Sequence, residues 1–174
     1  MAAVTPPPLQ GPTSKEKKYD RQLRLWAASG QQALEDAHIL LINSGPGVVG
    51  IETLKNLVLP GIGQFTIQDS AVVTETDLGA NFFLEEEHLG GFRAQHTCES
   101  LKELNPDVQG HSITEVGPPS PRTRAGGAEL HNIAALAGGM VSQEVIKVVT
   151  KQYIPVDNTC LFDGVRSKTA VVRV

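Results

Sequence analysis

Three glycines in one short window constrain this chain most. Residues 38–43 (HILLIN) form an apolar run of strand length. Gly45, Gly47 and Gly50 follow as GPGVVG, and Ile51, Leu54, Leu57 and Val58 then recur at helical spacing until Pro60-Gly61 halts them. A second strand, over 65–69, ends on Asp69. Strand, G-x-G-x-x-G turn, helix and strand, with an acid about twenty residues on, make a βαβ unit with a dinucleotide-type fingerprint. In such a turn the glycines let the backbone approach a phosphate, the helix N-terminus favours its charge, and the acid meets a ribose. Gly45, Gly47, Gly50 and Asp69 are therefore the candidate nucleotide-binding residues. The same pattern also serves as a turn that only packs strand on helix. Pro46 offers no N–H to a phosphate, and no Lys, Ser or Thr follows the last glycine as in a P-loop. On the loop alone both readings stay open.

The flanking segments extend the unit. Residues 1–14 are Pro-rich without hydrophobic period, which predicts a disordered tail, and a single domain is expected over 15–174. In the stretch YDRQLRLW, residues 19–26, Leu23 and Trp26 suit one helical face and Arg21 and Arg24 another. On residue type alone Arg21 reads as a solvated surface charge. A short helix over 31–37 leads into the first strand. Beyond Asp69 come a polar connection over 70–79, an anchoring turn at Phe82, Phe83 and Leu84, a helix over 92–104 stopped by Asn105-Pro106, and a third strand over 108–113 interrupted by Gly110.

The pattern breaks at VGPPSPRTRAGG, residues 116–127, a linker or junction. A helix follows over 131–150, with Ile133, Leu136, Met140, Val145, Ile146 and Val149 on one broad face. Its Gly138-Gly139 pair costs roughly 1–2 kcal/mol against alanines and so predicts a close neighbour. Strands over 159–162 and 169–174 around Asp163-Gly164 form a hairpin suited to extending a mixed sheet. The fold class is α/β: a Rossmann-like, partial doubly wound sheet in βαβαβ order, with a C-terminal helix and β-hairpin.

Composition narrows the function classes. At 174 residues, 40% apolar, the chain suits one domain with a core. A net charge of −4 gives no reason to expect nucleic-acid binding. No apolar run is read as a membrane span, and no secretory signal is expected. Cys98 and Cys160 are too few and too distant for a disulfide framework or a zinc site, and the five histidines lack ligand spacing. A reducing compartment, cytoplasm or nucleus, follows.

Several of these segments together, YDRQLRLW, GPGVVG, LKNLVLPGIGQFTIQD, NFFL and IAALAGGMVSQEVIKVVTKQ followed by NTCLFDG, resemble the ubiquitin-activating-enzyme family. The resemblance covers about residues 15–113 and 128–174 and implies a ThiF-like domain. Active members bind ATP and magnesium and adenylate the C-terminus of a ubiquitin-like modifier, with a D-x-D…N-x-x-R-Q pattern after the second strand. Here Asp69 keeps the first acid, but Ala71, Asp77 and Ala80 stand at the second acid, the Asn and the Arg. The resemblance therefore implies a non-catalytic regulatory subunit paired with a catalytic one. No cofactor is expected in this chain, ATP and magnesium being in the partner, and no metal is expected on its residues. Arg21 is implied to act in trans on the partner's ATP site, where a cation stabilises charge on a triphosphate. Gly45, Gly47, Gly50 and Asp69 become a vestigial nucleotide site.

In the family a long central stretch replaces residues 116–127, so the chain resembles two ends of such a subunit joined across a deletion. An open sheet edge and uncovered apolar faces are then expected. Two other functions remain: an independent Rossmann-type nucleotide-binding enzyme, and an inactive product that competes for the catalytic subunit.

Overall fold

The computed structural model describes residues 11–43, 45–115 and 130–174. The expected linker at 116–127, and residues 1–10 of the expected tail, lie outside the described residues. Helix α1 (Ser14–Lys18) begins inside the stretch read as a tail. Thr13 and Glu16 form a capping box, in which the Thr13 hydroxyl accepts from the Glu16 N–H and the Thr13 N–H donates to the Glu16 carboxylate.

Helix α2 (Asp20–Glu35) contains the two short helices expected, joined at a kink. Trp26 leaves the helical region (φ −120°, ψ 15°) and Ala27 lies at φ 58° and ψ 179°, a conformation other residues leave to glycine. The turn seats the Trp26 ring in the core. A Cβ on Gly30 would lie 2.8 Å from that of Trp26, so only glycine lets the second half of α2 close on the indole.

Three parallel strands, β1 (His38–Ile42), β2 (Gln64–Gln68) and β3 (Gln109–Ile113), lie in the order β1-β2-β3, with His38 opposite Gln64 and Gln64 opposite Gln109. Helices α3 (Val49–Val58) and α5 (Arg93–Leu104) cross between them and cover one face. Ile39 and Leu41 of β1 and Phe65 and Ile67 of β2 face these helices, and Leu54, Leu57, Val58, Cys98 and Leu101 complete the core. Among the described residues nothing covers the opposite face, as expected: Leu40 is 55% exposed, and Ile42 and Ile113 are exposed beside it. Parallel sheets are ordinarily covered on both faces. No strand pairs with the free edge of β1 among the described residues.

Five expectations are corrected. The connection over 70–79 contains a helix, α4 (Glu75–Ala80), because Thr74 and Asp77 form a second capping box. In the Phe82–Phe83–Leu84 turn only Phe83 and Leu84 anchor, and Phe82 is exposed. Helix α6 (His131–Thr150) buries the stripe Ala134, Gly138, Ser142 and Ile146 against α3 and α2, while Leu136 is exposed and Val145 and Val149 sit at the core's margin. A Cβ on Gly138 would lie 2.5 Å from the Glu52 Cβ, which is the close neighbour the glycine pair predicts, whereas Gly139 faces open space. By length and composition α6 is also long and apolar enough to cross a membrane, contrary to the expectation of no such run.

The fifth correction concerns the hairpin of β4 (Thr159–Asp163) and β5 (Lys168–Val172). It is a separate two-stranded antiparallel sheet and does not extend the parallel one. Because α6 runs over α3 and α2, it delivers the chain to the helical side. There Gln152 donates to the Trp26 carbonyl at 2.7 Å, and Gly164 in the hairpin turn leaves no room for a Cβ beside Ile133.

Candidate functional site

The carboxyl ends of β1 and β2 open onto the glycine turn, as a Rossmann unit requires. Asn43 follows β1, residues 45–48 lead into α3, and Asp69 follows β2. Gly50 is needed for packing: a Cβ there would meet Leu41 at 2.5 Å, so the glycine brings α3 down onto β1. Gly45 has open space where a Cβ would be, and Gly47 stands half-buried immediately before Val48 and the helix.

Asp69 is 4% exposed and faces the turn with its carboxylate already saturated. Its Oδ2 accepts from Arg93 Nε at 2.7 Å and from Asn43 Nδ2 at 2.9 Å, and its Oδ1 accepts from the Ala71 N–H at 3.0 Å. Arg93, 7% exposed at the start of α5, reaches two further groups. Its Nη1 donates to Asp77 Oδ1 at 2.7 Å, and its Nη2 donates to the Gly45 carbonyl at 2.9 Å. Asp77 is also 4% exposed, and its other oxygen accepts from the Thr74 N–H at 2.9 Å and the Thr74 hydroxyl at 2.7 Å.

The charge balance follows from these bonds. Burial pushes the Asp77 carboxyl up, but the Thr74 hydroxyl and N–H and the Arg93 guanidinium outweigh it and hold the group below the ordinary carboxylate range. For Arg93, burial lowers the pKa, and the ion pairs with Asp69 and Asp77 more than reverse it. A cavity of about 370 Å³ lies alongside, lined by Asn43, Pro46, Asp69, Ala71, Asp77 and Arg93 among others.

These residues do not fit a magnesium nucleotide. The acid suited to a ribose is spent on Arg93, Pro46 has no N–H, and both carboxylates that would hold a divalent ion are already paired. Among the described residues no cluster of His, Cys, Asp and Glu has the makings of a metal site. Cys98 is buried and Cys160 exposed, and both are free thiols.

Arg21 is not part of this constellation. It is exposed on α2 and pairs with no carboxylate among the described residues. Two residues earlier, Tyr19 is clasped at the other end of the sheet. Its hydroxyl donates to Asp107 Oδ2 at 2.8 Å and accepts from Asn105 Nδ2 at 3.0 Å, both in the turn that enters β3. The same amide donates to the Val58 carbonyl at 2.9 Å, and Lys18 pairs with Asp107 at 2.7 Å. Gly61 (φ +84°) passes under the ring, where a Cβ would lie 2.7 Å from the hydroxyl. Strands of five residues span about 16 Å, and that length separates this clasp from Asp69.

Sequence reasoning missed Arg93, Asn43, Thr74 and the Tyr19 clasp. One signal pointed to Arg93: a cation in the first turn of a helix opposes the macrodipole and needs a compensating partner. Asp77 was noted only as a departure from a family pattern, and its partner is what gives it a role.

The ThiF family matches residues 19–117 of the chain. The chain is 58% identical over 101 residues to the NEDD8-activating enzyme E1 regulatory subunit of Xenopus laevis, a match covering 58% of this chain and 19% of that protein. It is 57% identical over 103 residues to the protein of the same name from Danio rerio, covering 59% of this chain and 19% of that protein. The chain thus spans about a fifth of the length of these curated relatives. Among solved structures, PaaA superposes with a TM-score of 0.75 at 12% identity, over 97% of this chain and 75% of that one, which shows the fold.

Proposed function

Because this chain belongs to the ThiF family, we propose that it acts as the non-catalytic regulatory partner in a heterodimer that activates a ubiquitin-like modifier, the role its relatives are named for in NEDD8 activation. One observation carries the reading. Arg21 stands exposed on α2, two residues from the Tyr19 clasp at the end of the sheet opposite this chain's own glycine turn, and in this reading the nucleotide it serves is held by another polypeptide. In that role Arg21 reaches the triphosphate bound with magnesium in a catalytic subunit and stabilises charge developing there. Gly45, Gly47, Gly50 and Asp69 keep the shape of a nucleotide turn and are not charged with chemistry.

In this reading the chain is an impaired form of that subunit lacking the central region, a loss that would leave the exposed apolar sheet face. The compartments consistent with this role are cytoplasm and nucleus. The test is capture of the catalytic subunit by this chain, followed by ATP–pyrophosphate exchange with the modifier present. Capture, with Arg21→Ala lowering exchange, is the expected result. Failure to capture the subunit removes the pairing, and a wild-type rate for Arg21→Ala removes Arg21 from the mechanism.

A further inference from the structure

We infer that Arg93 is the resident ligand of the glycine turn: its guanidinium holds the site in its closed form, so that the chain binds no magnesium nucleotide and keeps the turn ordered without one. This inference stands whether or not the chain pairs with a catalytic subunit.

The three guanidinium nitrogens are each committed, Nε to Asp69, Nη1 to Asp77 and Nη2 to the Gly45 carbonyl. These contacts tie the ends of β1 and β2 to α4 and α5 through side chains, adding to the backbone bonds from the Asn43 N–H to the Gln68 carbonyl and from the Arg93 N–H to the Ala71 carbonyl. Each carboxylate accepts three bonds from protein donors, so neither is left wanting a cation. A ribose hydroxyl or a hydrated divalent ion would need the Asp69 or Asp77 oxygens that Arg93 occupies. A triphosphate would need a free cation beside the turn, and the guanidinium is turned inward onto two acids.

Drawing Arg93 off those acids to meet a phosphate would leave two buried carboxylates unpaired beside a polyanion, which electrostatics opposes at every step. Binding and loop order are therefore uncoupled here. In a ligand-dependent cradle the phosphate orders the backbone, whereas here a side chain of α5 supplies the positive charge permanently.

The experiment uses the whole chain. Magnesium ATP, magnesium alone and inorganic phosphate are each titrated by calorimetry. Amide hydrogen exchange is then followed over residues 45–50 in the wild type, Arg93→Lys and Arg93→Ala. The inference expects no saturable heat at millimolar ligand and the same wild-type exchange with and without magnesium ATP. It also expects exchange faster by about tenfold or more in Arg93→Ala, with a smaller increase in Arg93→Lys, whose single ammonium cannot span three acceptors.

Saturable binding of magnesium ATP by the wild type overturns it. So does phosphate binding that Arg93→Lys weakens, since that means the side chain turns outward as an anion site. Should Arg93→Ala fail to fold, Arg93→Lys decides, and unchanged exchange over 45–50 in that variant overturns the inference. None of these readings involves the catalytic subunit, so their failure is separable from failure of the proposed pairing.

Discussion

At the carboxyl end of the sheet Arg93 joins Asp69, Asp77 and Gly45, and at the amino end Asn105 joins Tyr19, Val58 and Asp107. Both networks tie together segments far apart in the chain, but their chemistry differs. The first is built of three buried charges and is complete only when all are present. The second centres on a neutral amide, with its charged pair, Lys18 and Asp107, at the solvent-exposed rim. A buried charge whose partner is lost keeps its desolvation cost, whereas a neutral group loses about one hydrogen bond. One end of the molecule should therefore be brittle and the other forgiving, although both are equally well bonded.

The sharpest attempt to break this contrast is Arg93→Ala, which strands Asp69 and Asp77. It is expected to cost about 3–5 kcal/mol in urea unfolding. A loss as small as that of an amino-end variant would abolish the distinction. Asn105→Ala comes next. It leaves the Val58 carbonyl and the Tyr19 hydroxyl short of a partner, for an expected loss of about 1–3 kcal/mol.

Acid separates the ends by a different route. The folded Asp77 carboxyl is held below its reference value of 3.8, so its contribution is fully present above that value and is lost as pH falls through the folded one. Stability of the wild type should drop below about pH 4, and Arg93→Ala should show a shallower slope there. Asp107 is also held low, first by Lys18 and then by the Tyr19 hydroxyl. Its exposed pair is screened, so 1 M salt should weaken the Asp107 part and spare the Asp77 part.

Arg21→Ala is expected to have the smallest effect on stability, within about 0.5 kcal/mol by thermal melting, because the side chain is exposed and unpaired among the described residues. Its effect belongs in the adenylation assay with the catalytic subunit.

The YDRQ stretch shows how sequence reasoning divides from structure. Its helical period grouped Trp26 with Leu23 on one face, but the chain leaves the helix at Trp26 and the ring is buried at that kink, and the resemblance directed attention to Arg21. Tyr19 went unremarked, although it is the residue that fixes the stretch to the rest of the molecule. The glycine turn shows the same division. Gly50 was legible, since a strand-to-helix turn needs a small residue for close packing, and the structure places it against Leu41. Asp69 was legible as an acid at a strand end but not in its use, because its partner comes from another helix. The α6 face was misassigned because large apolar residues suggest burial, while the actual contact selects small ones that let two helices approach.

By itself the sequence determined the βαβαβ order, the bounds of β1, β2, β3, α5 and α6 to within a residue or two, and the turn between β1 and α3, while α1 and α4 escaped it. Those depend on periodicity and on glycine and proline chemistry, which act within a few residues. Tertiary structure alone decided what the turn can do. Arg93 lies 24 residues from Asp69 and 48 from Gly45, and only the packing of α5 against the sheet brings its charge to both. Whether a buried acid is free to take a ligand depends on the charge beside it, and that neighbour is set by three-dimensional packing rather than by position in the chain.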